Sequence, residues 1–153
     1  MEQRLEVSRH IDAEPDAVWR VITALDSAPD TLRGVTSVER LDGTGYEVGT
    51  RWRETRVMFG RSATEEMRVA EVDPGRRTVV TSESGAARYR TVFDLVPAGS
   101  GTDLTIVFSG ESGPMGAAAS LVMTLSAPLA KRAMRKALQQ DLEDITVAAE
   151  GAR

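Results

Sequence analysis

The fold is decided near the end of the chain, where residues 115–149 read MGAAASLVMTLSAPLAKRAMRKALQQDLEDITVAA. Most of these residues favour a helix, with one interruption at Pro128, which removes a backbone donor and crowds the preceding turn. We expect one long helix kinked at Pro128. The alternative is two helices, the second of them capped by Ser126.

The second half of this helix carries one apolar stripe. Its members recur at steps of four, four and three, as expected for one helix face: Met134, Leu138, Leu142 and Ile145. The charged residues are expected on the other faces: Lys131, Arg132, Arg135, Lys136, Asp141 and Asp144. The stripe therefore needs an apolar surface to cover, and the preceding residues supply one.

Turn residues divide the chain before the helix into pieces of strand length, ending at motifs such as Asp73-Pro74-Gly75. The pattern predicts seven antiparallel strands near residues 3–11, 35–42, 49–58, 62–72, 77–84, 88–97 and 102–110. Pro15 begins a helix after the first strand, and residues 27–32 form a turn or a second short helix. This is an α+β arrangement within a single domain, residues 1–153, of sheet wrapped round helix.

Alternation along the strands indicates that one sheet face is apolar and the other polar, as in a sheet covered on one side. Three strands show it most clearly, with Tyr89, Phe93 and Leu95, then Leu104, Ile106 and Phe108, then Met67 and Val69 on the inner face. A sheet curved round a helix tends to enclose a cavity, and these residues are its expected lining.

Composition excludes several function classes. The absence of cysteine rules out disulfides, and a single histidine leaves only carboxylates for a metal, so no metal and no cofactor are expected. A net charge of −4 argues against nucleic-acid binding. The charged start lacks a signal peptide, and glycines and prolines interrupt the uncharged run 112–130. We therefore expect a cytoplasmic protein without a membrane span.

Several local motifs resemble those of the START-like superfamily, also called SRPBCC, which includes polyketide cyclase/dehydrase-type proteins and the Bet v 1 allergens. The matching pieces are IDAEPDAVW at 11–19, EVGTRW at 47–52, VDPGR at 72–76 and GSGT at 99–102. The resemblance covers essentially the whole chain and implies the helix-grip fold. It also implies a hydrophobic molecule, such as a lipid or polyketide, held between sheet and helix, but no shared catalytic motif.

Candidate ligand-binding residues follow from strand parity and from this implied pocket. Trp52 and Met58 share a parity with Glu54 and Arg56, so an Arg–Glu pair is expected to face inward and to orient a polar ligand group or a carboxylate. The alternative is a wet sheet edge or a bulge that shifts the parity. The full set is Trp52, Glu54, Arg56, Met58, Met67, Tyr89, Phe93, Phe108, Met123 and Leu129.

Other polar residues have no clear catalytic setting. His10 has the parity opposite to Leu5 and Val7 and is expected to face solvent, whereas Glu65 shares the inward parity of Met67. The uncharged stretch 115–129, beside Pro128, is hypothesised to line the pocket mouth and to move when ligand enters.

Three functions remain open. The leading hypothesis is a binding protein for a small hydrophobic molecule, which needs only apolar lining and a few polar groups. The second is a polyketide aromatase/cyclase, with Glu54, Glu65, Arg56 and Tyr89 as acid–base candidates. The third is a protein-interaction module resembling the chaperone-activating branch, which requires a filled core. The sequence does not indicate an oligomeric state.

Overall fold

The computed structural model describes residues 2–58, 60–84, 87–112 and 117–151. The first strand and three short helical segments come first: β1 (Glu2–Ile11), α1 (Pro15–Thr23), a 3₁₀ turn (Leu25–Ser27) and α2 (Ala28–Thr31). Six strands and the long helix follow, in the order β2 (Val35–Asp42), β3 (Arg51–Met58), β4 (Arg61–Asp73), β5 (Arg77–Ser84), β6 (Ala87–Ala98), β7 (Gly101–Ser112) and α3 (Ala117–Gly151).

The strands form one seven-stranded antiparallel sheet in the order β1-β7-β6-β5-β4-β3-β2. Consecutive strands from β2 to β7 are neighbours, and β1 joins the far edge beside β7. The segment between β1 and β2, which includes α1 and α2, therefore connects the two edges of the sheet. Helix α3 packs against β1 and α1. The predicted helix-grip fold is confirmed, including the short helices after the first strand.

The main core lies where α3 and α1 meet the β1, β6 and β7 end of the sheet. It includes Ile11, Leu104 and Ile106 from the strands and Leu138, Leu142 and Ile145 from the helix, all buried. The alternation predicted from sequence accounts for this core, because residues of one parity on neighbouring strands point to the same face. A smaller cluster, with Trp52, Val69 and Val80, forms the core on the other strands.

The outer sheet face is less polar than the alternation predicts. Val79 and Val92 are paired across β5 and β6 on this face and are 0% and 7% exposed. Two ion pairs flank them, Arg90–Glu71 at 3.1 Å and Arg77–Asp94 at 3.2 Å. The long arginine stems are suited to covering apolar side chains while their charged groups stay in water.

Helix α3 continues through Pro128 without a break, so the alternative of two separate helices is wrong. Among the described residues, no helix combines the length and the apolar character needed to cross a bilayer. The hypothesis of a moving gate at 115–129 rests largely on residues 115 and 116 and on side chains at 117–126, which lie outside what the structure describes. It stays a prediction.

Two acidic residues of α3 are not on its solvent faces, contrary to the expectation from sequence. Asp141 and Asp144 are each 8% exposed. Each has a basic partner from another part of the chain, Arg56 on β3 for Asp141 and Arg33, just before β2, for Asp144. The position of Asp141 follows from the helix itself, since it lies three residues after Leu138 and four before Ile145, on the edge of the apolar stripe.

Candidate functional site

A cavity of about 250 Å³ lies between the sheet and helix α3. Its floor consists of inward side chains from β3 to β7, and its other walls come from α1, α2 and the middle of α3. The space is far larger than the volume of a single water molecule, about 30 Å³. Apolar side chains dominate the lining, and a few polar groups are gathered at the β3–β4 side.

Two aromatic rings lie in the β6–β7 part of the cavity floor. Tyr89 on β6 and Phe108 on β7 stack with ring centroids 5.6 Å apart and planes inclined by 21°. Gly110 lies opposite Tyr89 in the strand register, and a Cβ on this glycine would come within 3.0 Å of the tyrosine ring. The missing side chain therefore leaves the space that Tyr89 occupies. Both rings contribute apolar surface to the cavity lining.

A charge cluster of three residues, Glu54, Arg56 and Asp141, lies where β3 faces α3. The Arg56 guanidinium donates to both carboxylate oxygens of Asp141, at 3.1 and 2.7 Å, and its Nε donates to Glu54 at 3.0 Å. All three side chains are at most 24% exposed. The Trp52 indole donates to the other oxygen of Glu54 at 3.4 Å, which ties the cluster to the neighbouring core.

The two carboxylates hold the arginine in its charged form. Burial opposes the charge of Arg56, but Asp141 and Glu54 outweigh it and raise the pKa of the guanidinium. Burial raises the pKa of Asp141, while Arg56 works in the opposite direction and limits that rise. Gly34 makes room for the pair, because a Cβ there would lie 3.1 Å from an Arg56 nitrogen. The three side chains therefore form two linked ion pairs with limited access to water.

Glu65 is the carboxyl group of the cavity that lacks an ion-pair partner among the described residues. It lies on β4 directly opposite Glu54 in the register, and the Ser82 hydroxyl donates to it at 3.4 Å. Burial raises the pKa of Glu65, with a smaller contribution from Glu54. Burial also raises the pKa of Tyr89, and Glu65 adds to that effect. These two groups therefore interact electrostatically across the cavity floor.

The raised pKa of Glu65 predicts a stability change in Glu65→Gln. Folding favours the protonated carboxyl, so the native state loses stability as the pH rises from the ordinary value of 4.5 through the raised pKa of the folded state, and the loss is constant above it. We expect Glu65→Gln to melt at a higher temperature than the wild type at pH 8, and this difference to shrink as the pH approaches 4.5.

Thermal unfolding followed by circular dichroism across this pH range measures the effect. The matched control is Glu66→Gln, the neighbouring residue on the outer face, whose half-exposed carboxylate lies 3.4 Å from Arg51. Exposed pairs contribute little, so this control should stay close to the wild type at every pH. An equal shift in both variants would show that net charge, and not burial, is responsible.

The structure brings seven of the ten predicted site residues into the cavity lining: Trp52, Glu54, Arg56, Met67, Tyr89, Phe93 and Phe108. The side chains of Met58 and Met123 lie outside the described part of the chain. Leu129 is 67% exposed and lies on a separate groove beside Arg132 and Lys136, so its placement in the cavity is wrong. At this position the surface of α3 faces solvent.

Asp141 is the charged residue of the described cavity lining that sequence reasoning missed. Its charge predicts the polar face of α3, yet its spacing from Leu138 and Ile145 matches the buried stripe. A buried arginine needs acceptors for several N–H groups, more than the one carboxylate of Glu54 provides, and Asp141 accepts from two of its nitrogens. That requirement is a signal by which the sequence could have revealed it.

His10 lies outside the cavity and faces solvent, as predicted. Its side chain is 50% exposed, and its Nδ1 lies 2.7 Å from Asp103 on β7. The hydrogen bond to Asp103 raises the pKa of the imidazole. The histidine therefore has a role in a surface pair on the sheet edge, remote from the enclosed space.

Comparison with known proteins finds one family model that matches nearly the whole chain. Residues 2–150 match the family model described as polyketide cyclase/dehydrase and lipid transport. No curated protein matches the sequence. Many solved structures match the chain. The three described below have low sequence identities to it, so their similarity shows the fold alone.

Three of these structures illustrate the range. A protein from Thermus thermophilus has a TM-score of 0.82 at 22% identity, over 98% of this chain and 99% of that one. The Zhui aromatase/cyclase from Streptomyces sp. R1128 has a TM-score of 0.82 at 15% identity, over 98% and 94%. The major latex-like protein 151 from Panax ginseng has a TM-score of 0.74 at 11% identity, over 95% and 96%.

Proposed function

The chain belongs to the polyketide cyclase/dehydrase and lipid transport family, and we propose that it binds a small hydrophobic molecule, lipid-like or polyketide-like, in the cavity between sheet and α3. The observation that carries this proposal is the cavity itself, about 250 Å³ of space with a mainly apolar wall. Burying apolar ligand surface there supplies the driving force, and the few polar groups orient the ligand.

The aromatic pair favours a flat ligand. The stacked rings of Tyr89 and Phe108 both line the cavity, as does Met67 on β4. A flexible methionine adapts to ligands of different shape, whereas the paired rings favour stacking with a ring system. Polycyclic or aromatic molecules therefore suit this site better than a single extended chain.

A fluorescence titration with N-phenyl-1-naphthylamine, a neutral apolar probe, tests the proposal. We expect saturable enhancement of the probe fluorescence, with one probe bound per chain at saturation. Native mass spectrometry of the same sample should show the matching mass increase. The absence of saturable binding would refute the proposed function.

A polyketide cyclase is the second candidate, and one observation favours it. Glu65 is a carboxyl group inside the cavity without an ion-pair partner among the described residues, and it interacts with Tyr89. A carboxylate in this setting is able to take a proton from the carbon between two ketones, and Tyr89 to donate one to the developing alkoxide of an aldol closure. Catalysed cyclisation of a poly-β-ketone thioester that is lost in Glu65→Gln would establish this function.

The third possibility, a protein-interaction module, receives no support from the interior. That hypothesis required a filled core, whereas a cavity remains between the sheet and α3 in the described part of the chain. A ligand-binding role accounts for both the enclosed space and the polar groups directed into it.

A further inference from the structure

The cavity lining carries more negative than positive charge. Among the described residues, three carboxyl groups line it, on Glu54, Glu65 and Asp141, against the one guanidinium of Arg56. At neutral pH the formal balance is therefore negative. A ligand whose polar end is an anion enters an unfavourable field, whereas a cation or a hydrogen-bond donor enters a favourable one.

Arg56 does not offset this balance for a ligand, because its charge is already matched. Each of its three side-chain nitrogens donates to a carboxylate, two to Asp141 and one to Glu54, at 2.7 to 3.1 Å. These contacts use three of the five guanidinium N–H groups. A ligand carboxylate that reached the other two would lie beside two carboxylates that already outnumber the positive charge. The arginine is therefore poorly placed as an anion receptor, and the expectation from sequence that it orients a carboxylate is the opposite prediction.

Glu65 is placed to receive a ligand group. The Ser82 hydroxyl at 3.4 Å is its one side-chain hydrogen-bond donor among the described residues, and the strand register sets it opposite Glu54. A carboxylate has room for several donors, so most of its accepting capacity is unused. Glu65 is partly buried, so a ligand donor that reaches it supplies a hydrogen bond to a carboxylate that has lost part of its hydration.

We propose, on the basis of the ligand-binding function above, that the cavity selects apolar molecules whose polar group is a hydrogen-bond donor, an alcohol or an ammonium, and discriminates against carboxylates. Glu65 is the acceptor for that donor. The selection arises because three carboxyl groups outnumber one arginine that is already paired with two of them.

Four ligands with the same ring system test the proposal: 2-methylnaphthalene, 2-naphthalenemethanol, 2-(aminomethyl)naphthalene and 2-naphthoate. Their dissociation constants are measured at neutral pH by competition with N-phenyl-1-naphthylamine. Amine and carboxylate both carry one charge and both lose hydration on entry, so the difference between them reports the sign of the field. We expect the amine to bind at least about tenfold more tightly than the carboxylate, as a charge-assisted hydrogen bond allows.

The variant Glu65→Gln assigns the effect to its residue. It is expected to weaken the amine about tenfold and to narrow the gap between amine and carboxylate. The control Glu66→Gln removes the same charge from the outer face and should leave all four affinities unchanged.

The outcomes separate this proposal from the one on which it rests. Equal affinity of the wild type for amine and carboxylate, with the hydrocarbon still bound, overturns the selectivity and leaves the binding function standing. A preference for the amine that persists in Glu65→Gln overturns the role of Glu65. Failure of every ligand to bind, 2-methylnaphthalene included, overturns both.

Discussion

Thr91→Phe is expected to weaken binding of N-phenyl-1-naphthylamine by at least about tenfold without loss of the fold. Thr91 lies at the centre of the cavity floor, between Val80 on β5 and Phe108 on β7 in the strand register. A phenyl ring at this position extends into space that is otherwise available to ligand. A ligand that has to share the cavity with the ring loses contacts or strains the walls, at a cost of about 1–3 kcal/mol.

The stability of this variant should be equal to or higher than that of the wild type. Phenylalanine favours strands, and its added apolar surface is buried at about 25 cal/mol per Å². The measurements are the same fluorescence titration and a thermal melt. Thr81→Phe is the matched control, because Thr81 lies on the adjacent strand, pairs with Arg90 and points to the outer face. Unchanged affinity in Thr91→Phe would place the ligand somewhere other than this cavity.

Arg56→Met is expected to lower the free energy of unfolding by about 3 kcal/mol. Removing the guanidinium leaves the carboxylates of Glu54 and Asp141 without their cation, and the side chains of these two residues are only 13% and 12% exposed. An uncompensated buried charge costs about 3–5 kcal/mol, and the partial exposure of this cluster argues for the lower end. Urea denaturation at neutral pH measures the loss.

Two further variants show whether the orphaned charges are responsible. Arg53→Met removes another arginine of β3, whose side chain points outward and forms a solvent-exposed ion pair with Glu39 at 3.1 Å. This change should alter the free energy of unfolding by no more than about 0.5 kcal/mol. Adding Asp141→Leu to Arg56→Met should recover part of the loss, because one unpaired carboxylate is removed. A loss in Arg56→Met as small as that in Arg53→Met would contradict the buried position of the cluster.

Both predictions concern features that a protein selected only for stability would not need. The cavity forfeits packing contacts, and the charge cluster gives up hydration. Such costs are typical of functional sites, where local rules are broken and the rest of the fold compensates. Here the compensation comes from the dense core at the β1–β7 end of the sheet, where Ile11, Leu104 and Ile106 are almost fully buried.

The sheet and its cavity face were predictable because strand parity is a local property. Once Leu104 and Ile106 were assigned to the inside, every second residue of β7 followed, and the same held for Tyr89 and Phe93 on β6. The parity of β3 likewise brought Glu54 and Arg56 inside with Trp52. The placement of Leu129 was wrong because helical character alone does not say which face of a helix meets the sheet.

The sequence by itself determined the order of the elements, the antiparallel sheet, the terminal helix and the inward face of each strand, because turn chemistry and side-chain periodicity act over a few residues. The tertiary structure alone decided that a cavity remains, that Asp141 reaches Arg56 across 85 positions of the chain, and that Glu65 has no such partner among the described residues. These features depend on how closely helix and sheet approach and on which charges meet there. Distances between separate elements set both: helical spacing places Asp141 beside the buried stripe, but it does not say which arginine the carboxylate meets.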